Sequence, residues 1–143
     1  MKQQEIIKFG GIEIDFCLDA GDTKGALTMF KCVINAGAKI AAAHYHENFD
    51  ETVYGLKGVA TYTVDGKTIE LRAGDSLFIP RGAVHAFANK SDETIEFLCV
   101  ASPGVFGPDY FKDIAEVINA GGPPDMAKLK QAMLNHGLVP VAG

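Results

Sequence analysis

The 143-residue sequence is short of basic charge: 13 lysines and arginines stand against 18 aspartates and glutamates, for a formal net charge of -5. Nucleic-acid binders carry a basic face, so a phosphate backbone is not the expected partner. No apolar run is long enough to span a bilayer, and the first residues lead into strand-like sequence without a secretory leader pattern, so the expectation is a cytoplasmic protein with no membrane partner. Cysteine is scarce and odd in number. Cys17, Cys32 and Cys99 are widely spaced and form no C-x-x-C, which argues against a disulfide framework or a zinc knuckle. Reduced, buried thiols are expected instead: Cys99 sits in an apolar run and Cys32 alternates in register with Phe30 and Ile34, with one thiol facing a pocket left open as an alternative. Internal repeats, low-complexity segments and linkers are also missing, so one domain over residues 1–143 is expected.

What is present is a pair of histidine-bearing stretches. The first, residues 37–58, runs Gly37, six residues, His44-Tyr45-His46, four residues, Glu51, six residues, Gly58. The second, residues 74–89, runs Gly74, five residues, Pro80-Arg81-Gly82, two residues, His85, three residues, Asn89. Strand side chains alternate between faces, so a two-residue step sends both imidazoles of His44 and His46 one way and Tyr45 the other. Glu51 can add a carboxylate and His85 a third imidazole if distant strands are brought together.

These stretches resemble the paired motifs of the cupin superfamily, of the small single-domain cupin 2 type. The first departs from the usual pattern by one extra residue between its glycine and its first histidine; the second matches at every fixed position. The resemblance implies a jelly-roll (double-stranded β-helix) barrel with an interior metal site. Residues 1–103 would form the barrel and residues 104–143 a helical extension.

Periodicity alone gives a β-rich barrel or sandwich. Residues 12–16 alternate apolar with acidic, residues 26–35 are rich in strand formers, and the pattern continues through residues 53–64. Asp65-Gly66 is a two-residue hairpin signal. Further strands fit residues 75–79, 84–88 and 93–101, the last sending Ile95, Phe97 and Cys99 to one face. The period then changes. Phe111, Ile114, Ala115 and Ile118 predict a helix over residues 108–120, with Pro108 in its first turn. Asp125 is the expected N-cap of a second helix bearing Met126, Leu129 and Met133, with Gly137 just past its end. Both helices are expected on the outside of the barrel or at a subunit contact.

Three imidazoles and one carboxylate suit one divalent transition metal ion, Fe, Mn, Co, Ni, Cu or Zn, and leave open positions for a ligand. His44, His46, Glu51 and His85 are the expected metal-binding residues. Glu51 is also the candidate catalytic residue, since a carboxylate beside a cation and an apolar wall can serve as ligand or as base. Val53, Gly55 and Phe87 share strand parity with these ligands and are candidate pocket-wall positions; Gly55 marks either a bulge or room for a ligand. Arg81 reads as a surface turn residue or an anion contact, Asn89 as a satisfier of turn backbone, and His136 as a structural residue at a helix end.

The tail resembles that of bacterial quercetin-dioxygenase-like cupins, which implies a metal-dependent dioxygenase acting on a small enolic or phenolic, flavonol-like compound. A non-catalytic small-molecule-binding or sensor protein is the alternative, and a sugar isomerase or epimerase a further one. An exposed N-terminal edge strand makes a homodimer the expected assembly.

Overall fold

A computed structural model describes residues 5–141. In chain order the elements are β1 (Glu5–Phe9), β2 (Ile12–Leu18), α1 (Ala20–Thr23), β3 (Thr28–Ile34), β4 (His44–His46), β5 (Asp50–Lys57) and β6 (Val59–Val64). There follow β7 (Lys67–Arg72), β8 (Ser76–Ile79), β9 (His85–Ala88), β10 (Ile95–Ser102), α2 (Pro108–Ile118), α3 (Met126–Asn135) and β11 (Leu138–Pro140). The strands form two antiparallel sheets, one ordered β1-β2-β3-β10-β5-β8 and the other β11-β4-β9-β6-β7.

Alternation decides which side chains face inward. On β3 and β10 every second residue is buried, so Phe30, Cys32 and Ile34 meet Ile95, Phe97 and Cys99 in the space between the sheets. The Asp65-Gly66 hairpin forms as expected, with φ of 47° and 82° at its two central residues and Val64 opposite Lys67. Gly55 marks a bulge. Register between β5 and β10 slips there, and a Cβ on Gly55 would stand 2.1 Å from the Arg72 carbonyl oxygen, so only glycine lets β5 approach the end of β7 this closely.

The expected closed barrel is corrected in one respect: the two sheets are not joined into a closed hydrogen-bonded ring. The helical tail supplies the missing wall. α2 packs on β1 and α3 on β11, at one edge of each sheet. Phe111 of α2 seats against Phe30 with ring centroids 5.1 Å apart and against Phe106 at 5.2 Å. Each helix lies against the outside of the sheets with one face turned to the core, burying Tyr110, Phe111 and Ile114 of α2 and Leu129, Ala132 and Met133 of α3 while its opposite face stays exposed. α3 is capped by Asp125, whose Oδ1 accepts from the Ala127 and Lys128 amides, and the chain turns at Gly137 with φ 77°. It then returns as β11 to pair with β4, which carries two of the histidines. None of the described helices is long and apolar enough to cross a membrane.

Candidate functional site

β4 and β9 are neighbours, with His44 directly opposite His85. Because His44 and His46 share a face of β4, all three imidazoles converge, and one ligand atom from each lies within 4.8 Å of the others. Ring centroids are 4.7 Å apart for His44 and His85, 4.5 Å for His46 and His85, and 5.2 Å for His44 and His46. All three residues are buried.

Hydrogen bonding sets the tautomers of two rings. His44 Nδ1 lies 3.0 Å from the Ala42 carbonyl oxygen and His85 Nδ1 3.0 Å from that of Ala83. A carbonyl only accepts, so each Nδ1 carries the proton and each Nε2 presents a bare lone pair. His46 is held differently: its ring stacks on Phe49 at 4.2 Å, and its Nδ1 is buried without a hydrogen-bond partner. Burial, reinforced by mutual repulsion with His85, holds His44 down to about 4 and His46 down to about 2, and burial also lowers His85. The rings are therefore neutral at physiological pH, the form in which imidazole binds metal. Converging neutral donors, two of them oriented through their far nitrogens, fit a first-row divalent ion.

Glu51 is brought to the edge of this group and stands apart from it. Its Oε1 is 3.9 Å from His46 Nε2, and the mutually close set contains the three histidines alone. Burial pushes its carboxyl up to about 7, while the neighbouring Cys99 thiol favours the charged form.

The trio and Glu51 open on a cavity of about 70 Å³ lined almost wholly by apolar side chains, among them Phe30, Phe106, Phe111, Ile114, Leu129 and Met133. Phe87 lines it, as its parity implies. Val53 and Gly55 do not: Val53 is packed in the core, and the space beside Gly55 is filled by the backbone at Arg72. Cys32 and Cys99 both reach the cavity wall, so the pocket-facing alternative holds for two thiols. Tyr62 and Tyr110 line it too and were not anticipated. Tyr62 shares parity with Ala60 across an alternating strand, a signal present in the sequence, whereas Tyr110 depends on how α2 docks.

The remaining motif residues are structural. Arg81 forms an exposed ion pair with Asp50 at 3.2 Å. Asn89 donates to the Ile34 and Glu93 carbonyl oxygens and accepts from the Ser91 amide and hydroxyl. His136 Nε2 lies 2.7 Å from Asp113 Oδ2 and ties the end of α3 to α2.

A sequence profile of the family described as "Cupin domain" matches residues 30–101. Quercetin 2,3-dioxygenase of Bacillus subtilis (strain 168) is 38% identical over 73 residues, which are 51% of this chain and 21% of that protein. Polyketide synthase CurC of Streptomyces cyaneus is 34% identical over 83 residues, 58% of this chain and 52% of that protein. The chain thus spans about half, or less, of the length of these relatives. The solved structure of the polyketide cyclase RemF from Streptomyces resistomycificus aligns with a TM-score of 0.59 and 26% identity, covering 70% of this chain and 72% of that one.

Proposed function

The chain belongs to the cupin family, and from that footing we propose that it is a metal-dependent oxygenase of a small enolic or phenolic compound. The observation that carries this reading is the convergence of three buried, neutral imidazoles in the wall of an apolar cavity. Similarity to a quercetin 2,3-dioxygenase over 51% of this chain supports the choice of chemistry. Dioxygenase and oxidoreductase activity follow from this proposal.

In this reading His44, His46 and His85 would hold one divalent ion, which would supply Lewis-acid and redox chemistry in the cavity wall. Glu51 does the proton work. A carboxyl held up to about 7 is matched to taking a proton from an enol or phenol near neutral pH, and its distance from His46 leaves it beside the metal-binding group. The aromatic and aliphatic walls exclude water and hold the electron-rich ring or double bond. A volume of about 70 Å³ is well below the roughly 300–1,000 Å³ of an ordinary small-molecule pocket. The substrate is therefore small, or the α2–α3 wall yields as it binds.

A second reading has its own observation. Glu51 alone suffices for proton transfer, and CurC and RemF are named for polyketide chemistry, so non-oxidative enol chemistry such as cyclisation is the competing activity. An oxygen electrode separates the two. Metal-loaded protein given a panel of flavonols and enediols is expected to consume oxygen and to yield product carrying added oxygen, both abolished by His85→Ala. Product without oxygen uptake favours the second reading, and saturable binding without product overturns both.

A further inference from the structure

We propose that Phe49 is a positioning residue for the candidate metal centre: its ring, backed by Phe106, fixes the plane of the His46 imidazole in place of the hydrogen bond that orients the other two histidines. The inference rests on the reading of His44, His46 and His85 as one metal-binding group. His44 and His85 are each tied through Nδ1 to the carbonyl oxygen two residues earlier, at 3.0 Å. Those carbonyls belong to Ala42 and Ala83, which lie ahead of β4 and β9, where the chain can turn an oxygen toward the ring. For His46 the residue two earlier is His44, inside β4, and a strand carbonyl lies in the plane of the sheet while side chains stand across it. His46 Nδ1 is left buried, with no hydrogen-bond partner among the described residues.

Stacking takes over. Phe49, on the short link between β4 and β5, lies face to face with His46 at a centroid distance of 4.2 Å and 21° between planes. Phe106 backs Phe49 at 4.8 Å and 24°, and it faces His46 at 6.2 Å and 25°, so the three rings lie nearly parallel. Both phenylalanines are buried, which leaves neither ring room to swing away. A metal-bound imidazole ordinarily takes its orientation from an acceptor at its far nitrogen, and removing that support weakens metal binding. Here the support is a hydrocarbon face. Phe106 lies beyond residues 30–101, the stretch that matches the family profile, so the tail of this chain completes the hold on one histidine.

The test uses Phe49→Leu, which keeps the site apolar and removes the ring, beside Phe97→Leu, which alters a core phenylalanine that is also 1% exposed and does not line the cavity. In competition titrations against a chromophoric chelator, Phe49→Leu is expected to bind zinc at least about tenfold more weakly than wild type, the scale of losing an orienting partner. Phe97→Leu is expected to bind zinc like wild type, although both variants lose thermal stability. Undiminished zinc affinity in Phe49→Leu, or an equal loss in Phe97→Leu, would overturn the assignment. A second readout needs no metal. In metal-free protein the order parameter of the His46 ring carbons, from carbon relaxation, should lie near about 0.85 in the wild type and fall below about 0.6 in Phe49→Leu, with His44 and His85 unchanged. A mobile His46 ring in the wild type, or a rigid one in Phe49→Leu, refutes the clamp. Phe49→Met, a flexible apolar side chain without a ring, takes the same measurements if the leucine variant does not fold. Wild-type protein that binds no zinc sinks the reading of the trio instead, and the relaxation data still judge Phe49.

Discussion

Replacing Glu51 by glutamine should stabilise the metal-free protein at high pH and do little at low pH. The carboxyl titrates at about 7 in the folded chain against a usual 4.5, because burial disfavours its charge. Between those values the folded chain holds a proton that the unfolded chain has released, so stability falls as pH rises through the window. At about 1.4 kcal/mol per pH unit, the ionised carboxylate costs the fold on the order of 3 kcal/mol above pH 7. Glutamine has nearly the same shape and no charge, so the variant escapes that cost. For a chain of this length the gain amounts to a rise in Tm on the order of 10 °C at pH 8, shrinking toward zero near pH 4.5. Thermal and urea unfolding in chelator at pH 5 and pH 8 read the difference. Adding a divalent ion should erase the advantage, since a cation beside Glu51 offsets its charge. A Glu51→Gln protein no more stable than wild type at pH 8, or stabilised equally at both pH values, would refute the reasoning.

The imidazoles give the opposite pH dependence. His44 and His46 are held down to about 4 and about 2 from the usual 6.5, so the unfolded chain takes up their protons first and metal-free stability is lost as pH falls from 6.5 to 4, by about 3 kcal/mol for each ring. Because Glu51 opposes this, the loss is best followed in the Glu51→Gln background; a flat urea-midpoint profile there contradicts the assignment. Gly55→Ala would drive a Cβ into the Arg72 carbonyl, and a destabilisation above about 3 kcal/mol is expected, with a stable variant showing that β5 and β7 are not so close. Tyr54 and Phe78 expose apolar surface on one outer face of adjacent strands, next to Leu98. We propose this face as the contact of a homodimer, so Phe78→Glu should sediment as a monomer where the wild type sediments as a dimer; unchanged sedimentation, or a monomeric wild type, would contradict that contact.

Strand identity was legible because period two is a local property: Ile95, Phe97 and Cys99 go inward on β10, as their alternation requires. The hairpin at Asp65-Gly66 and the cap at Asp125 were equally readable, since each depends on a few adjacent residues. His44, His46 and His85 could be named from spacing, but Glu51's offset from them could not. That offset is fixed by how β5 packs against β10 and where Cys99 lies, both non-local matters. Parity pointed Val53 and Gly55 inward, and inward they are, but the sequence does not say which inward positions meet empty space and which meet core. β11 was missed because three residues with a proline carry little periodic signal; its strand character comes from pairing with β4. The helices were readable from their period, while the choice of β1 and β11 as their docking edges was not, since it depends on sheet edges distant in the chain.

The most direct test of the metal-centre proposal is the metal content of protein purified without an affinity metal and then dialysed against a limiting divalent ion. One ion per chain is expected in the wild type, falling to near zero in His44→Ala and in His85→Ala while both variants keep their β-rich circular dichroism. Retention of one ion per chain by either folded variant, or none in the wild type, would contradict a cation held by His44, His46 and His85.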